Sequence, residues 1–194
     1  MPTIARMPKF DCNVSEIASV INRYNYYDSV APNFGIEPHD EPDGVLPVYH
    51  TKLNDALGLT AFSEDRKPVY VAINKDIPED KLPRVCAHEL DHIKSSILIK
   101  YMDLPEPWSE ILIEGYPEFR RYNYWKKLGE FENAKNVIRE SPYKEALFLA
   151  NLIDQYYVGK EGVGYRAFIK DIKREKSVRK VFKRFIEQYK SKAN

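Results

Sequence analysis

The chain changes character once, near Ile73. From Val45 to that point its apolar residues fall in short runs that suit extended backbone, and after about Asp80 they recur only at helical spacing. Three extended segments are expected: Val45 to His50, Leu59 to Phe62, and Pro68 to Ile73. The last reads PVYVAI, β-branched and aromatic, with Pro68 at its start, where a missing N–H is tolerated. Short connections favour a small, mostly antiparallel sheet. Upstream, residues 14–28 place Ile17, Val20, Ile21 and Tyr24 at helical spacing, with Asn13 or Ser15 as N-cap, and the proline-rich stretch 31–47 reads as a loop. Downstream, a long helix is expected from Asp80 to Met102, with Pro83 in its first turn, and a break at Asp103–Pro107. A second helix runs from Ser109 to Leu128, ended by Gly129, and further helices follow at about 131–140, 143–157, 164–174 and 176–190. Helix, small sheet, then helices only is an α+β order. It is expected to form one domain over 1–194, with a backing helix and sheet in 1–75, a central helix pair in 80–130 and a helical remainder in 131–194.

Composition narrows the class. At 194 residues, 43% apolar, with 30 Lys+Arg against 29 Asp+Glu, the chain can bury a core without staples and is no general polyanion binder. Apolar runs as short as Ile97-Leu98-Ile99 give no membrane span, and MPTIARMPKF has no apolar leader core. Two cysteines, Cys12 and Cys86, are too few for a disulfide scaffold, so the expected compartment is cytoplasmic. Charge is uneven: residues 173–194 hold nine Lys/Arg and two Asp/Glu, leaving a body near −6 and a tail near +7. The tail places Val178, Val181, Phe182, Phe185, Ile186 and Tyr189 on one face. The simpler reading is a terminal helix packed on the domain, rather than one that contacts nucleic acid or an anionic surface or lies in a cleft as a latency segment.

The chemistry centres on His88-Glu89-Leu90-Asp91-His92. Residues i and i+4 share one helix face, so both imidazoles can reach one ion, expected to be a single Zn2+ per chain. Glu89, adjacent in sequence, projects beside a water on that ion and can act as general base. One helix cannot encircle a metal, so a third ligand must come from elsewhere. Glu114, in IEGYPEF, is the favoured candidate, with Gly115 allowing two helices to approach and Pro117 expected to bend the helix. Glu118, one turn later on the same face, suits a carboxylate that orients a ligating histidine; the swapped assignment puts Glu118 on the metal. The plain alternatives are solvated histidines and a solvated acidic helix face.

The pairing of AHELDHI with a downstream EGYPEF resembles the gluzincin clan of zinc metallopeptidases, most closely its small single-domain minigluzincins, over residues 68–125. The resemblance implies a zincin-like fold and hydrolysis of a peptide or protein substrate, with His88, His92 and Glu114 on zinc, Glu89 as base and Glu118 supporting a zinc histidine. It also implies a strand that pairs antiparallel with the extended substrate, a role that falls on Val69, Tyr70, Val71, Ala72 and Ile73, and a tyrosine or histidine for the oxyanion. Tyr122, two turns beyond Glu114, and Tyr156 or Tyr157, which precede VGKEGVGYRAF, are the tyrosines considered. An exopeptidase motif is absent, and residues 1–60 match no motif of the clan. HELDH also resembles the helix motif of peptide deformylases, but their EGCLS-type and GxGxAAxQ-type segments are missing and Cys86 falls on the wrong helical face. The rival class is a non-catalytic or latent metal-binding regulatory protein. Cys86 reads as a small buried residue, His39 and His50 as solvated side chains rather than a second metal site, and Asp91 as a solvated or supporting group.

Overall fold

The computed structural model describes residues 14–34, 46–101, 103, 108–159 and 162–193. Expectations for Cys12, Asn13, His39 and most of the 103–107 break lie outside these residues. Among the described residues there are seven α-helices and one three-stranded sheet, an α+β chain. In order they are α1 (Val14–Val30), β1 (Val48–Thr51), β2 (Gly58–Phe62), β3 (Pro68–Asn74), α2 (Leu82–Ile99), α3 (Trp108–Lys127), α4 (Phe131–Glu140), α5 (Lys144–Tyr156), α6 (Gly164–Glu175) and α7 (Val178–Ala193), with a 3₁₀ turn at Tyr157–Gly159 between α5 and α6.

The sheet order is β1-β3-β2 and the sheet is mixed. β2 and β3 form an antiparallel pair closed by a turn in which Arg66 takes a left-handed φ of 59°. β1 joins the other side of β3 in parallel, Val48 opposite Val71 and Thr51 opposite Asn74. The mostly antiparallel expectation therefore fails at β1: short connections dictate direction only for strands adjacent in the chain, and β1 and β3 are separated by β2. β3 is also the central strand, with Val71 to Asn74 all buried. β2 pairs along one edge of β3 and β1 along the other from Val71 on, so Val71–Ile73 have no free edge for a substrate strand; the free edges of the sheet belong to β1 and β2 among the described residues.

Three apolar clusters hold the layers together, the smallest being Tyr27, Ala31, Ala87 and Tyr124. Another joins Val20 of α1, Val48, Val71 and Ile73 of the sheet, and Val85, Cys86 and Leu90 of α2. The largest joins Leu98 of α2, Tyr116 and Phe119 of α3, Leu147 and Ile153 of α5, and the inner faces of α6 and α7. The basic tail is thus a packed element: Val178 and Val181 are fully buried, Phe182 and Phe185 nearly so, and Arg184 pairs with Asp171 and Glu175 of α6. Asp154 of α5 accepts the backbone N–H groups of Gly162 and Tyr165, capping the start of α6 from a neighbouring helix.

α3 runs unbroken through Pro117. Gly115 does serve a close approach, but to α5: a Cβ there would meet the Ala146 carbonyl oxygen at 3.0 Å. Charge ties α2 to α3 in addition to their shared apolar contacts. Asp91 and Arg120, both fully buried, form an ion pair; Tyr27 donates to the other Asp91 oxygen at 2.9 Å, and Arg120 reaches across to Asp28 of α1. Asp91 is therefore neither solvated nor a supporting group of the histidine cluster but the anchor of α2 to α1 and α3. No helix among the described residues is long and apolar enough to cross a membrane.

Candidate metal centre

α2 presents His88 and His92 one turn apart, their rings perpendicular with centroids 4.7 Å apart. α3 crosses beside them, and its one-turn spacing delivers two carboxylates to the two ends of a single imidazole. Glu118 Oε1 lies 2.9 Å from His88 Nδ1, and Glu114 Oε2 lies 3.0 Å from His88 Nε2. His92 Nε2 is 3.2 Å from His88 Nε2 and 3.5 Å from the same Glu114 oxygen. Three donor atoms thus form a triangle with sides of 3.0, 3.2 and 3.5 Å. Ligands ~2.0–2.1 Å from a tetrahedral zinc stand roughly 3.3–3.4 Å apart, so the triangle has the dimensions of three zinc ligands.

The electrostatics make the same point. Glu118 is 1% exposed, is held by Arg121 at 2.8 Å, and takes the Nδ1–H of His88. The Nε2 lone pair of His88 then faces His92 Nε2 and the Glu114 carboxylate oxygen. Such a convergence is held together by a proton or a cation within it. With a proton, His88 becomes an imidazolium; burial opposes this charge, but the carboxylates of Glu114 and Glu118 outweigh it and push the pKa up to about 9. His92, buried beside that charge, is pushed down to about 4 and stays neutral. Its Nδ1 is buried without a hydrogen-bond partner.

Glu89 stands on the sheet side. The side-chain donors of His88, Glu89 and His92 all lie within 4.8 Å of one another, a group that can hold a metal. Thr60 of β2 donates to the Glu89 carboxylate at 3.1 Å and to its carbonyl at 2.6 Å. Gly58 is the reason β2 can come this close, since a Cβ there would meet Glu89 Cγ at 2.4 Å. Burial raises the Glu89 carboxyl above its ordinary range, with the charge of Glu114 adding to it, while His88 and Thr60 pull it down. Of the two glutamates, Glu114 makes the tighter triangle with the histidine Nε2 atoms, leaving Glu89 beside it with its own partner on β2.

The site opens into a cleft of about 320 Å³ lined by Asp55–Gly58 before and at β2, by Arg84, Val85, His88 and Glu89 of α2, by Glu118 and Arg121 of α3, and by Pro142 and Tyr143. Tyr143, from the turn between α4 and α5, stacks on His88 with ring planes 8° apart and centroids at 5.5 Å. It is the tyrosine of the cleft, and sequence reasoning missed it. Tyr122 faces elsewhere, into a small pocket with Ile138, Leu147 and Phe148. Tyr157 is buried in the helical core, its hydroxyl donating to Asp171 at 2.5 Å. Tyr156 packs edge-on against Tyr189. Cys86 points at α1, its thiol donating to the Val20 carbonyl at 3.2 Å, so it is no ligand. His50 lies on β1, and no described residue of α7 lines the cleft. Comparison with models of protein families, with curated proteins and with solved structures finds no match for this chain.

Proposed function

We propose that the protein is a zinc-dependent peptidase of zincin-like architecture, with His88, His92 and Glu114 as protein ligands and Glu89 as general base. One observation carries the reading: two imidazole nitrogens and one carboxylate oxygen from two helices converge with sides of 3.0 to 3.5 Å, with a fourth group, the Glu89 carboxylate, beside them in an open cleft. Zinc bound there would polarise a water and the scissile carbonyl, which is the chemistry such an ion supplies with three protein ligands and an open position. Glu89 takes the proton of the attacking water as its oxygen bonds to the carbonyl carbon, and returns that proton to the leaving amine as the C–N bond breaks. Its raised pKa suits both halves of that exchange. Glu118, braced by Arg121, holds the tautomer of His88 that directs Nε2 at the ion. Tyr143 is the phenol assigned to the developing oxyanion, as its ring stands in the cleft over His88. Among the described residues the outer edge of β2 carries no partner strand, and an extended peptide can pair there within reach of Glu89.

The test is hydrolysis of a broad peptide library by the zinc-loaded protein, followed by mass spectrometry. Chelator-sensitive cleavage that Glu89→Gln abolishes while zinc stays bound supports the reading. Full zinc occupancy without any cleavage contradicts it and favours a binding or regulatory role.

A further inference from the structure

A second cavity, of about 590 Å³, lies between α1, α2 and α3, and no residue of the sheet lines it. Its size falls in the ~300–1,000 Å³ range of small-ligand pockets. The walls are aromatic: Tyr26 and Tyr27 from α1, Tyr124 and Trp125 from α3. Tyr27 commits its hydroxyl to Asp91, so it offers its ring to the cavity rather than a polar tip.

The charges are one-sided. Arg23, Arg84 and Arg121 line the cavity against one carboxylate, Asp80. The acids that pair with these arginines, Glu79 at 3.2 Å, Glu140 at 2.6 Å and Glu118 at 2.8 Å, are not among the lining residues. Arg121 stands out further. Its side chain is 5% exposed, and its Nε is buried with no hydrogen-bond partner. Buried N–H groups are rarely left unpaired, and a cationic one is best satisfied by an anionic oxygen. Arg84 and Arg121 also line the metal cleft, so they form the partition between the two spaces.

We propose that this cavity binds a small planar aromatic anion, its ring among the tyrosines and Trp125 and its anionic group toward Arg84 and Arg121. The occupant's contact on Arg121 is then linked to the candidate metal centre by two hydrogen bonds, because Arg121 holds Glu118 and Glu118 holds His88. The site needs neither bound metal nor peptidase activity, so it stands or falls apart from the reading above.

The probe is 4-nitrobenzoate, an aromatic carboxylate that quenches indole fluorescence on contact, compared with the neutral 4-nitrobenzamide. The chain has two tryptophans, so Trp108→Phe leaves Trp125 as the single reporter. Saturable quenching by the carboxylate, with the amide about tenfold weaker or more, is expected from a charge-assisted contact. Arg84→Gln should bring the carboxylate down toward the amide and leave the amide unchanged, and Arg23→Gln should shift it in the same direction. Quenching should be the same with and without added zinc. Non-saturating quenching, equal affinity for acid and amide, indifference to both arginine substitutions, or quenching that requires zinc and so marks binding on the metal, would each overturn the proposal.

Discussion

Replacing Arg120 with Met removes the counter-charge of a fully buried carboxylate at the point where α2 is fastened to its neighbours. In the native fold burial pushes Asp91 up to about 6, even though Arg120 and the Tyr27 hydroxyl pull against it. Without Arg120 that pull is lost and the carboxyl rises further. Buried carboxyls escape by protonating, and pH 7 lies one unit above the native value, so the added charge penalty there is limited to between about 1 and 2 kcal/mol. The lost bonds from Arg120 to Asp28 and the Pro32 carbonyl add roughly 1–3 kcal/mol. The sum, roughly 2–5 kcal/mol, agrees with the ~3–5 kcal/mol seen when one partner of a buried pair is removed. For a chain of this length it corresponds to a fall in Tm of roughly 10 °C. The sign with pH also follows. A carboxyl raised in the folded state costs stability as pH rises toward its folded pKa. In the native protein that cost stops growing above about 6, whereas in the variant it continues. Urea unfolding of the chelator-treated proteins at pH 6, 7 and 8 should show a deficit that widens with pH. Arg120→Met with Asp91→Leu should recover most of it, because a well-packed apolar pair replaces the ions. A deficit below about 1 kcal/mol, one that narrows with rising pH, or a double variant no better than the single would refute the assignment.

Gly58→Ala should displace the Glu89 side chain, which a Cβ would meet at 2.4 Å, and lower kcat about a hundredfold with zinc content unchanged, as loss of a positioned general base implies; unchanged kcat would show that Glu89 is not held by β2. His88, at about 9 without metal, must lose its proton to bind one, so zinc binding at pH 7.5 should release about one proton or more, read by calorimetry in buffers of different ionisation enthalpy. The same shift stabilises the metal-free fold fully below His88's ordinary value of 6.5, and this contribution is lost as pH rises through about 9. Tyr143→Phe should lower kcat with little change in KM, whereas Tyr157→Phe, whose hydroxyl bonds Asp171 in the helical core, should alter stability alone. The Cys86 thiol, pushed up to about 12 by burial, should resist iodoacetamide in the native protein and react only on unfolding.

The side-chain cluster proposed as the metal centre was legible because its spacing is local. His88 and His92, and likewise Glu114 and Glu118, are one turn apart on single helices, and the helical repeat alone puts each pair on one face. What the repeat cannot state is which face meets which neighbour. Tyr122 was expected beside Glu114, yet it turns toward α4 and α5. Tyr143 ends a three-residue connection between helices and has no periodicity to betray it. The strand order escaped for a related reason: the β1–β3 pairing is parallel and non-local, and hydrophobic alternation does not record which strand is central. Gly115 was correctly read as a close approach but to the wrong helix. Asp91 and Arg120 resemble surface charges in sequence, and only packing shows them to be fully buried partners.

The most direct test of the metal centre is the metal content, by plasma mass spectrometry, of the wild-type protein beside Glu114→Ala, both supplied with zinc and dialysed. The geometry predicts about one zinc per wild-type chain, with occupancy lost or reduced ~10-fold or more when the third ligand is removed. Full zinc in Glu114→Ala would move the third ligand to Glu89 or Glu118, and no metal in either protein would contradict the centre itself.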